Sequence, residues 1–188
     1  MLSFDARDDV LASAVRLALD LPLPERGCAT GDKELFVLRL SPEAYLIVTR
    51  PDEQYAYLAR LSKALASGRA AVTDVSSGYA TLRISGPTAT ELLYRGCSIP
   101  LDPPEFVPGN CVTTSFGKLT VIIHWVGAEQ GFDLHVPRSL ALSFWRCLAD
   151  AGRDADLLIA AASAEPGRDR KVHQDLKVDF SNGSVSPR

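Results

Sequence analysis

The stretch LFVLRLSPEAYLIVTRPDEQYAYLARLSKALASG, residues 35–68, decides the fold class. Its first half holds two runs rich in β-branched and aromatic residues, 35–40 and 45–50, on either side of the SPEA turn. Runs of that kind around a short turn predict a β-hairpin. The second half changes period: Leu58, Leu61 and Leu65 recur at helical spacing over 52–67. Asp52 and Glu53 suit the positive N-terminal end of that helix, and Gly68 suits its end. Antiparallel strands followed by a two-sided helix read as a mixed α+β unit.

Working outward, the same grammar continues. Residues 8–21 place Val10, Ala14, Leu17 and Leu21 on one helical stripe that Pro22 ends. The turn-rich PLPERGCATGDK follows. Strands are expected at 71–76 and 79–85, the second alternating Ala80, Leu82 and Ile84 against Tyr79, Thr81 and Arg83. Gly86-Pro87 opens a short helix, because the missing amide of a proline costs nothing in a first turn. Residues 98–110, SIPLDPPEFVPGN, hold four prolines, which excludes regular structure. Further strands are expected near 111–116, 119–126 and 132–137. In the last, Phe132, Leu134 and Val136 face away from Asp133 and His135. A helix over 139–151 puts Leu140, Phe144, Cys147 and Leu148 on its buried stripe. The fold class is therefore α+β, with mostly antiparallel sheets and packed helices. Three segments are expected: an N-terminal helix and linker (1–30), an α+β domain (31–152), and a short helix with an extended or disordered tail (153–188). The tail region 163–188 carries five Lys or Arg against four Asp or Glu. Its mixed composition fits a segment that wraps a partner as well as one that does nothing.

Composition narrows the function classes. Of 188 residues, 46% are hydrophobic and 23% charged, so the chain has the material for a globular core. Lys plus Arg total 20 against 23 Asp plus Glu, which lacks the basic excess of a nucleic-acid binder. No apolar run reaches the ~18 residues of a membrane span, and the acidic start MLSFDARDDV is unlike a signal peptide. The expected location is the cytoplasm. Cys28, Cys97, Cys111 and Cys147 are scattered, as are His124, His135 and His173, so free thiols and no metal site are expected.

The sequence has no GxGxxG, GxxxxGK[ST], HExxH or GxSxG motif. Asp74, in AVTDVSSGYA, reads as a turn carboxylate accepting backbone hydrogen bonds beside Ser76 and Ser77. Glu129, in GAEQG, reads from the residues alone as a solvated turn charge. No catalytic residue is expected.

Three segments carry a family resemblance. AAVTDVSSGYATLRISGPTATELLYRGC (70–97), FVLRLSPEAYLIVTRPDEQYAYLARL (36–61) and GAEQGFDLHVPRSLALSFWRCLADAG (127–152) resemble, in order, elements of the folate-binding aminomethyltransferases of the glycine cleavage system. With FDLHVPRS and the short length, the chain is most similar to the gamma-subunit family of heterotetrameric sarcosine oxidases, over residues 20–152. The resemblance implies a non-catalytic subunit of a flavoenzyme complex that oxidatively demethylates sarcosine or a related N-methyl amine. It implies alpha, beta and delta subunits as partners, which carry FAD, FMN, NAD and zinc, and no cofactor in this chain. Glu129 falls where the aminomethyltransferases contact the pterin, so it stands as a remnant folate-pocket residue. A tyrosine just before that loop is replaced by Val126, and the family's catalytic aspartate has no counterpart. The alternative is a stand-alone folate-binding or aminomethyltransferase-like protein; a small-molecule regulator is a third reading. Phe106, Trp145 and the N-terminal helix are the expected sources of partner-facing apolar surface.

Overall fold

A computed structural model describes the chain except residues 6–8, 33–34, 67–69, 129–130, 154–156, 162–175 and 182–188. It divides into two compact units: Met1–Ser77 with Gly109–Val112, and Gly78–Pro108 with Thr113–Arg188.

The first unit is a sheet with two helices. Its strands are β1 (Leu2–Asp5), β2 (Ala29–Asp32), β3 (Leu35–Arg39), β4 (Ala44–Thr49) and β5 (Ala71–Asp74), and its helices α1 (Asp9–Leu19) and α2 (Gln54–Ala64). The sheet order is β2-β3-β4-β1-β5, and every pairing is antiparallel. The expected hairpin is β3–β4, whose turn is closed where the Ala44 amide donates to Ser41 Oγ at 3.0 Å. Val37, Tyr45 and Ile47 from the hairpin pack with Leu61 and Leu65 of the α2 region and with Ala14, Val15, Ala18 and Leu19 of α1. Each Val, Leu or Ile side chain among them contributes about 1.5–3 kcal/mol when fully buried.

Two expectations change in this unit. The stripe of α1 is rotated: Ala14, Val15, Ala18 and Leu19 are buried, whereas Leu17 is 85% exposed and Leu21 lies half-buried beyond the helix. Two i,i+4 pairs, 14/18 and 15/19, make a tighter stripe than the single row through Leu17. The side chain of Val10 is outside the described set. The N-terminal segment also begins with a strand, β1, inserted between β4 and β5. Its four residues are too short to display a period.

The second unit is built on a six-stranded sheet in the order β10-β11-β6-β9-β8-β7. Its elements are β6 (Tyr79–Ser85), α3 (Ala89–Tyr94), β7 (Cys111–Phe116, begun within the first unit), β8 (Leu119–Gly127), β9 (Gly131–Pro137), α4 (Ala141–Ala151), β10 (Leu157–Ala161) and β11 (Leu176–Ser181). Leu82 and Ile84 on β6, and Phe132, Leu134 and Val136 on β9, are all buried, and β9 buries Asp133 and His135 of its other face as well. Phe144 and Leu148 of α4 are buried too, and the Phe144 ring meets Phe116 with centroids 5.5 Å apart.

Three expectations are corrected in this unit. The segment read as a short helix and an extended or disordered tail supplies two strands; β10 runs parallel to β11, and β11 antiparallel to β6. LLIAA is an uninterrupted apolar run, which periodicity alone assigns to neither helix nor strand. Cys147 is exposed, because the buried row of α4 follows Phe144 and Leu148, four residues apart, and Cys147 points away from it. Phe106 is buried at 6%, so it supplies no open apolar surface.

Candidate functional site

The chemistry-bearing side chains of the second unit gather on the face of its sheet opposite Leu82 and Leu134. Register explains how. Thr81 of β6 stands across from His135 of β9, and Arg83 across from Asp133. On the other flank of β9, His124 of β8 stands across from Asp133 and Ile122 across from His135. Residues opposed in an antiparallel ladder share a face, so five polar side chains from three strands meet there.

Their geometry is well defined. Arg83 grips Asp133 at two points, Nε to Oδ1 at 2.6 Å and Nη2 to Oδ2 at 2.7 Å. This is the fork-on-carboxylate pairing that gives guanidinium its directionality. The Asp133 side chain is 7% exposed and that of Arg83 37%. Thr81 Oγ1 and His135 Nδ1 share a hydrogen bond of 2.8 Å. His135 is 0% exposed, and its Nε2 meets no hydrogen-bonding group among the described residues. Burial lowers the His124 and His135 pKa values to about 4 each; the Asp133 carboxylate pulls both partly back up. Both imidazoles are neutral at pH 7.

Perturbed histidines beside an ion pair are a common mark of a reaction centre. Here the arrangement argues otherwise. A ring with no exposed surface exchanges no proton with a substrate, and the Asp133 carboxylate is already occupied by Arg83. What the cluster does is fix register. Sliding β9 by one residue would drive Asp133 and His135 into the apolar layer and set Phe132 and Leu134 against Thr81, Arg83 and His124.

The remaining sequence candidates are separate from this cluster. Asp74 is a turn carboxylate: its Oδ1 accepts from the Ser76 amide at 2.8 Å and from Ser76 Oγ at 2.5 Å. The bond from the Ser76 hydroxyl, before the one from its amide, holds the Asp74 carboxyl below the usual range. Glu129 and His173 lie outside the described residues. Trp145 is half-buried. Among the described residues no three His, Cys, Asp or Glu side chains group as metal ligands, and no helix is long and apolar enough to cross a membrane. The polar cluster itself was missed from sequence. Alternation had placed Thr81 with Arg83, and Asp133 with His135, but only the pairing of β6 with β9 joins the two sets.

A model of the "Sarcosine oxidase, gamma subunit family" matches residues 3–154. Sarcosine oxidase subunit gamma from Corynebacterium sp. strain U-96 is 32% identical over 55% of this chain and 48% of its own length. Aminomethyltransferase from Saccharopolyspora erythraea is 28% identical over 69% of this chain and 35% of its own. The chain thus spans about half of that gamma subunit and about a third of that aminomethyltransferase. Among solved structures, a chain of the heterotetrameric sarcosine oxidase from Corynebacterium sp. U-96, in complex with pyrrole 2-carboxylate, superposes with a TM-score of 0.74. The two are 27% identical, over 88% of this chain and 82% of that one. Glycine cleavage system aminomethyltransferase T from Bartonella henselae superposes at 0.59 with 18% identity, over 81% of this chain and 43% of that one, which shows a shared fold.

Proposed function

The chain belongs to the sarcosine oxidase gamma subunit family, and from that footing we propose that it is the small, non-catalytic subunit of a heterotetrameric flavoenzyme oxidising sarcosine or a related N-methyl amine. The observation that carries the reading is the match, across most of both chains, to a chain of a solved heterotetrameric sarcosine oxidase. Chemistry supports it. Removing two electrons from an amine needs a cofactor, since side chains alone do not accept them. The sequence offers no phosphate-cradling loop, and among the described residues Arg83 already engages the Asp133 carboxylate while Thr81 engages His135 Nδ1. As the family resemblance implies, FAD, FMN, NAD and zinc would be carried by the alpha, beta and delta subunits, with this chain contributing assembly and stability. Its place is the cytoplasm.

The test is to produce the complex with and without this chain and compare amine oxidation and melting temperature. A subunit that binds only the native assembly stabilises it by mass action, so omission lowers the melting temperature and the yield of active enzyme. Full activity and unchanged melting without it would overturn the reading. A stand-alone folate-binding or aminomethyltransferase-like role instead requires the isolated chain to bind tetrahydrofolate, which the same preparation can be titrated for.

A further inference from the structure

We draw no further inference here: the strongest candidate, the buried His124 and His135 edge of the polar face formed by β8 and β9, where His135 Nε2 meets no hydrogen-bonding group among the described residues, belongs to the cluster already described, and beyond its lowered pKa values nothing among the described residues points to a ligand there.

Discussion

Gly131 backs directly onto the carbonyl oxygen of Ile84. Its φ is +78°, and a Cβ built there would fall far inside contact distance of that oxygen and of Ser85. The contact sits where β6 and β9 pair, next to the Ile84–Phe132 rung. Gly131→Ala therefore combines an unfavourable backbone conformation with a clash against backbone, which cannot swing aside. We expect a loss of about 2–4 kcal/mol by denaturant unfolding. Gly78→Ala is the control: it meets nothing within 4 Å and should stay within about 0.5 kcal/mol of wild type. Equal effects at the two positions would show that the β6–β9 approach is misplaced.

The Arg83–Asp133 pair should respond asymmetrically to loss of either partner. Without Asp133, the guanidinium can recover hydration through its 37% exposure. Without Arg83, a carboxylate that is 7% exposed loses the fork that satisfies both its oxygens. Arg83→Gln should cost about 3–5 kcal/mol and Asp133→Asn about 1–3 kcal/mol. The measurement is unfolding free energy at pH 7. A larger cost for Asp133→Asn would contradict the burial assigned to the two ends.

How far the sequence carried this reading follows from the same strands. β3 and β4 were legible as β-branched and aromatic runs around a turn, β6 and β9 from the alternation of apolar and polar residues, and α2 and α4 because their apolar residues recur at a 3.6 period. β2 was not legible: ATGD has no alternating apolar residues and is a strand only because β3 offers it an edge. β1 and β11 depend likewise on partners distant in sequence, Ile47 and Asp74 for one and Ile84 for the other. The helix of Cys147 was found while its face was misread, since one cysteine looks like a small hydrophobe on either side of a stripe. The polar cluster needed register, which no single strand encodes.

Acid should destabilise the protein through His124 and His135. Both are held at about 4, below the ordinary value of 6.5, and burial is the main cause. The unfolded chain therefore binds more protons than the native one between pH 6.5 and 4. Stability is complete above pH 6.5 and falls as the pH drops toward 4, by an amount on the order of a few kcal/mol for the two rings. Melting temperatures across this window check it. His135→Gln removes one of the two groups and should flatten the profile. A stability curve that is flat from pH 7 to 4.5 would contradict neutral burial of both rings.

If the proposed subunit reading holds, Glu129→Gln should leave the activity of the assembled complex nearly unchanged. Titration with tetrahydrofolate, wild type against variant, separates a remnant from a ligand. A contact to bound folate would lose charge-assisted hydrogen bonds, costing about 1.5–3 kcal/mol of affinity. Such a loss would make Glu129 a ligand and favour the folate-binding reading of the chain.

The four thiols should separate by kinetics in a native labelling experiment. The thiolate is the reactive species, so burial protects a cysteine both by blocking approach and by favouring the neutral form. Burial pushes Cys97 up to about 11 and Cys111 up to about 12. At pH 8 their thiolate fractions are then on the order of one part in a thousand or less. Cys111 is further occupied as a donor to the Cys28 carbonyl at 3.3 Å. Cys28 is half-buried, with the Asn110 side-chain amide 3.4 Å from its sulfur. Cys147 is exposed on α4. Labelling followed by peptide mass analysis should therefore find Cys147 first, Cys28 later, and Cys97 and Cys111 only on unfolding. Cys147→Ser should remove the fast phase without lowering the melting temperature, because no buried row of α4 depends on it. A slow Cys147 beside a fast Cys97 would mean that α4 presents its other face to the sheet.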